Sequence, residues 1–64
     1  MSYTYRFDGG VFRTDSLCEL ASKIAEDFPR IGFGDIEQIK DLLWDMSPGD
    51  YLEERVLGFT VVAR

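Results

Sequence analysis

Sixty-four residues make one small domain, and 45% hydrophobic with 14% aromatic content gives that domain a core and excludes a disordered chain. One cysteine and no histidine exclude an internal disulfide framework and a cysteine–histidine zinc centre. Twelve carboxylates against seven lysines and arginines, a net of −5, argue against phosphate binding, which calls for a basic patch, and favour a basic partner.

Ser2 to Phe7 alternates, with Tyr3, Tyr5 and Phe7 on one side and Thr4 and Arg6 on the other, the period of a half-buried strand. Asp8-Gly9-Gly10 is a turn signal, because Asp and Gly accept positive φ. Val11-Phe12-Arg13 is then a short return strand. A turn at Asp8-Gly9 sets Tyr5 opposite Phe12, and a turn at Gly9-Gly10 sets Phe7 there; both put Phe12 on the aromatic face.

Thr14 or Asp15 can cap the first helix, and Ser16 with Glu19 has capping-box spacing. Leu17, Leu20, Ala21, Ile24 and Phe28 recur at helical spacing on one face, and Pro29 ends the run. Cys18 on the flank of that stripe is expected to be a buried, inert thiol. Arg30 to Gly34 is a short connector in which Ile31 or Phe33 plugs the core. Its glycines lack the spacing, the following lysine and the preceding strand of a phosphate loop.

Gly34 to Glu54 holds most of the charge. Asp35, Glu37, Asp41, Asp45, Asp50, Glu53 and Glu54 stand against Lys40 alone, a net of −6, and the other residues carry +1. Asp35 with Gln38 is a second capping box at the positive end of a helix dipole. Ile36, Ile39, Leu42, Leu43 and Met46 form the expected buried stripe, whereas Trp44 falls well off it, between Lys40 and Glu37/Asp41. Pro48-Gly49 is a type II turn, and Asp50 to Glu54 leaves a short helix, an extended lead-in to the last strand and a loop open. Arg55 to Arg64 is rich in β-branched residues and reads as one strand, with Gly58 marking a bulge or close crossing.

The expected fold is a single α+β domain over 1–64. It has a three-stranded antiparallel sheet with two helices on one face, in the order β-β-α-α-β. The last strand pairs with the first and lies at an edge.

Glu37, Asp41 and Asp45, at i, i+4 and i+8, form an acidic ridge whose like charges repel, each pair costing a few tenths of a kcal/mol, roughly, in an isolated helix. Trp44 beside it has the character of an interface anchor, Lys40 lies next to it, and Asp50, Glu53 and Glu54 extend the charge if the exit folds back. No paired nucleophile, tuned carboxylate pair or ion-binding loop spacing is present, so no enzyme, cofactor or metal is expected. No basic-then-apolar leader opens the chain and no apolar run approaches the roughly 18 residues of a membrane span, so a cytoplasmic, non-membrane protein is expected.

These features point to an acidic binding module, an inhibitor or regulator that occupies a basic surface of a nucleic-acid-handling protein without itself binding nucleic acid. In size and charge it is similar to phage and mobile-element anti-defence proteins of the anti-CRISPR and anti-restriction kind, which act as DNA mimics. The alternative is a homodimer formed through the C-terminal strand or the helix pair.

Overall fold

A computed structural model describes residues 1–64. The elements are β1 (Tyr3–Phe7), β2 (Gly10–Thr14), α1 (Leu17–Asp27), α2 (Phe33–Trp44), β3 (Tyr51–Glu54) and β4 (Phe59–Ala63). The strands form one antiparallel sheet in the order β2-β1-β4-β3. Asp8 (φ 52°) and Gly9 (φ 79°) make the two-residue turn of the first hairpin, its handedness matching strand twist. That choice fixes Tyr5 opposite Phe12 and Phe7 opposite Gly10.

The first strand sits inside the sheet beside the last, as the sequence suggests, but the sheet has four strands, not three. Arg55 to Gly58 is a turn rather than the start of a strand. Gly58 takes φ 84°, its N–H donates to the Glu54 carbonyl at 2.8 Å, and the Glu54 carboxylate accepts from the Val56 and Leu57 N–H groups at 2.8 and 3.4 Å. The chain reverses there, and Tyr51–Glu54 becomes the strand that covers β4. The C-terminal strand is therefore interior, paired with β1 and β3, and offers no free edge for a dimer. The edges are β2 and β3, and β3 is short and carries Glu53 and Glu54, features that discourage edge pairing.

Both helices bury their apolar stripes on one sheet face. Leu20 and Ile24 from α1 and Ile39 and Leu43 from α2 meet Tyr3, Tyr5, Phe59, Val61 and Ala63. Phe28 stacks on Phe7 with ring centroids 4.6 Å apart and on Phe59 at 5.8 Å, and Phe59 meets Tyr5 edge-on at 5.5 Å. Ser16 caps α1, accepting from the Glu19 N–H at 3.2 Å, while the buried Thr14 hydroxyl accepts from Ser16 N–H and donates to the Glu19 carboxylate.

Three local expectations fail for physical reasons, and a fourth, left between Ile31 and Phe33, is decided. α2 starts at Phe33 with Gly32 as its cap, so Asp35 sits in the first turn, where it faces the helix dipole without capping. Ile31 is the plug that packs on the core and Phe33 is 79% exposed. Leu42 is 52% exposed because the buried line of α2 centres on Ile39 and Leu43, leaving Leu42 on the flank. Cys18 is exposed rather than buried, lying one position outside the α1 stripe.

One core group gives the fold an alkaline signature. The Tyr5 hydroxyl donates to Asp27 Oδ2 at 2.9 Å. Burial first, then that hydrogen bond and the charge on Asp27, hold the phenol well above its ordinary value of 10.0. The folded state therefore keeps the phenol proton more tightly than the unfolded state. The resulting stabilisation is complete below about pH 10 and is lost as pH rises toward the folded value. Urea midpoints followed upward from neutral pH are expected to fall more steeply above about pH 10 for wild type than for Tyr5→Phe. Parallel curves would show that Tyr5 does not carry this dependence.

Candidate functional site

The exposed side of α2 is the candidate site. At 100° per residue, Phe33, Lys40 and Trp44 share a line, with Glu37 just beside it. Phe33 and Trp44 are 79% and 74% exposed, so two large aromatic rings stand in solvent one near each end of the helix. The carboxylates Glu37, Asp41 and Asp45 drift around the helix by about 40° per step, away from Trp44 and toward β3. The ridge is thus a diagonal band rather than a straight row.

The pairing state differs along that band. Lys40 Nζ lies 3.7 Å from Glu37 Oε1, an i,i+3 pair that partly neutralises the first carboxylate. Asp41 and Asp45 are exposed and form no ion pair with any cation of this chain; the chain's pairs are Lys23–Asp27, Lys40–Glu37 and Arg55–Glu53. Asp45 also closes the helix at its negative end, where a carboxylate is electrostatically unfavourable.

The three acids of the exit separate. Asp50 joins Asp45 around a shallow recess that also takes in Leu42, Met46, Tyr51 and Leu52, so it does extend the acidic band. Its Oδ2 accepts from the Ser47 N–H at 2.9 Å, holding the Pro48-Gly49 turn. Glu53 and Glu54 are consecutive on a strand and point to opposite sheet faces. Glu53 pairs with Arg55 at 3.6 Å on the face away from the helices, and Glu54 serves the Arg55–Gly58 turn. Of the eight residues singled out in the sequence, Glu37, Lys40, Asp41, Trp44, Asp45 and Asp50 are brought together; Glu53 and Glu54 are not.

The largest cleft lies elsewhere, between the α1–α2 connector, the start of α2 and the Arg55–Gly58 turn, with a volume of about 640 Å³. Its acids already have structural work. Asp27 holds Tyr5 and Lys23, Asp35 sits in the first turn of α2, and Glu54 braces its turn. No group of three or more metal-ligating side chains is present, and no helix is long and apolar enough to cross a membrane. Comparison with family models, with curated proteins and with solved structures finds no match to this chain. The α+β architecture and the geometry of α2 are therefore what bear on function.

Proposed function

We propose that this chain is a small protein-binding module that seats the outer side of α2 on a basic surface of a partner, as an inhibitor or regulator of a nucleic-acid-handling protein. One observation carries the reading. Asp41 and Asp45 have no cation of their own chain, and they flank a largely exposed tryptophan. Unpaired carboxylates attract a basic surface and set its orientation, and a protruding indole supplies the apolar anchor that charge alone lacks. Lys40 and its Glu37 pair flank the anchor, and Asp50 continues the band beyond the helix. An anti-defence inhibitor of the anti-CRISPR or anti-restriction kind is one such module, and small size with concentrated charge is what supports that narrower reading.

The test is affinity capture from cells that express the protein, in stepped salt. Wild type is compared with a Glu37→Gln, Asp41→Asn, Asp45→Asn variant. A partner retained by wild type is expected to be released as salt rises and to be absent from the variant. Equal recovery of the same proteins by both baits, at every salt, would remove the acidic band from any binding role.

A further inference from the structure

We propose that the sheet face turned away from the helices binds the phosphate backbone of single-stranded nucleic acid, with Arg6, Arg13 and Arg64 around Thr4 holding a phosphoryl group and Tyr51 receiving a base. The site is built from the sheet rather than from α2, although Tyr51, on the edge strand, also borders the recess that holds Asp45 and Asp50.

The sheet register builds the site. Side by side across β2, β1, β4 and β3 stand Arg13, Thr4, Val62 and Tyr51, and the next row is Val11, Arg6, Thr60 and Glu53. Alternation puts all eight on the face opposite Tyr3, Tyr5, Phe59 and Val61, which bury the helices. Arg64 lies two residues past Val62, so it shares this face, and its backbone is tied to Ser2 by two 2.7 Å hydrogen bonds. Thr4, Arg6, Arg13, Val62 and Arg64 line a shallow recess of about 130 Å³. None of these three arginines has an ion-pair partner in the chain; of the carboxylates on this side, Glu53 is taken by Arg55 and Asp15, two residues past Arg13, is unpaired. A recess lined by a threonine and three unpaired arginines is a receptor for a phosphoryl oxygen set, since guanidinium forks match phosphate geometry.

Charge segregation selects the occupant. By the same alternation this face carries Arg6, Arg13, Arg55 and Arg64 against Asp15 and Glu53, a net of +2, while the rest of the chain carries −7. A polyanion is attracted more strongly here than to the acidic remainder of the chain, an arrangement that the whole-chain net of −5 conceals. The cations extend across the sheet, and three inter-strand steps of about 4.8 Å separate β2 from β3 by roughly 14 Å, more than one phosphoryl group spans. A continuous backbone fits that spread. The 68% exposed Tyr51 ring offers a stacking surface that only an unstacked base can use.

The test is fluorescence anisotropy with a labelled oligothymidine of about a dozen nucleotides and with a duplex of equal length, from about 50 to 200 mM salt. Wild type is expected to bind the single strand in preference to the duplex, with log affinity falling against log salt at a slope of about −2 for three neutralised phosphates. Arg6→Gln, Arg13→Gln and Arg64→Gln should each make that slope shallower by about 0.7 and weaken binding several-fold at low salt. Tyr51→Ala should weaken binding without changing the slope, and Asp41→Asn with Asp45→Asn should not weaken it at all. Far-UV circular dichroism unchanged across these surface variants shows that the fold is intact. The proposal is overturned if folded wild type fails to bind at low salt, binds duplex equally well, or keeps its affinity in the arginine variants. It is also overturned if inorganic phosphate shifts the amide resonances around Thr4 while the oligonucleotide does not bind.

Discussion

Phe59→Ala is expected to leave little or no folded protein at room temperature. Phe59 is 1% exposed, contacts the rings of Tyr5 and Phe28, and pairs with Phe7 on one side and Glu54 on the other. It therefore joins both sheet halves to the end of α1. Removing a buried phenyl ring costs about 3–5 kcal/mol, transfer and cavity terms together. A chain of this length has a total stability of roughly 3–10 kcal/mol, at about 0.05–0.15 kcal/mol per residue. The loss is thus comparable to the whole. Val56→Ala, at a 92% exposed turn position, should stay within about 0.5 kcal/mol of wild type. Urea denaturation followed by far-UV circular dichroism measures both, and a cooperative Phe59→Ala transition near the wild-type midpoint would mean that the core is not organised around this ring.

Trp44→Ala is expected to weaken partner binding by about 2 kcal/mol or more, roughly 30-fold, with melting unchanged. The indole is largely solvent-exposed and belongs to neither the core cluster nor its packed fringe, so truncation removes little folded-state contact. The effect should appear mainly in the dissociation rate, whereas Asp41→Asn and Asp45→Asn should slow association and flatten its salt dependence. Trp44 is the chain's single tryptophan, so its own emission reports desolvation when the complex forms. A variant that melts lower yet binds normally would reassign the ring to the fold.

What could be read from the sequence follows from where physical signals are strong. The Tyr3–Phe7 alternation, a turn within Asp8-Gly9-Gly10 and the α1 stripe between Ser16 and Pro29 were all marked by strong local signals and appear in the fold; which pair of the Asp8–Gly10 stretch makes the turn was not legible. The fourth strand gave no such signal. Tyr51–Glu54 has one inward apolar residue, Leu52, which is sufficient for an edge strand but too sparse to show a period. The β-branched residues on both sides of Gly58 then favoured a single long strand, and only its positive φ separates the turn from β4. Exposure of Trp44 was legible because it lies about 140° from Ile39 on the helical wheel; exposure of Leu42 was not, because it lies only about 60° from Ile39. The basic sheet face was invisible for a different reason. Arg6, Arg13 and Arg64 come from three separate strands, and only the pairing of β1 with both β2 and β4 gathers them.

The antiparallel pairing of β1 with β4 also constrains biosynthesis. Tyr3 meets Ala63 and Tyr5 meets Val61, so the middle of the sheet is stitched from the earliest and latest strands of the domain to be synthesised. The hairpin and each helix can form as they emerge, since their contacts are local. The two buried tyrosines of β1 must wait, lying unshielded on the nascent chain until β4 clears the exit tunnel. Completion of the domain therefore waits for its last strand, and that interval is when its core is most exposed to chaperones and to aggregation.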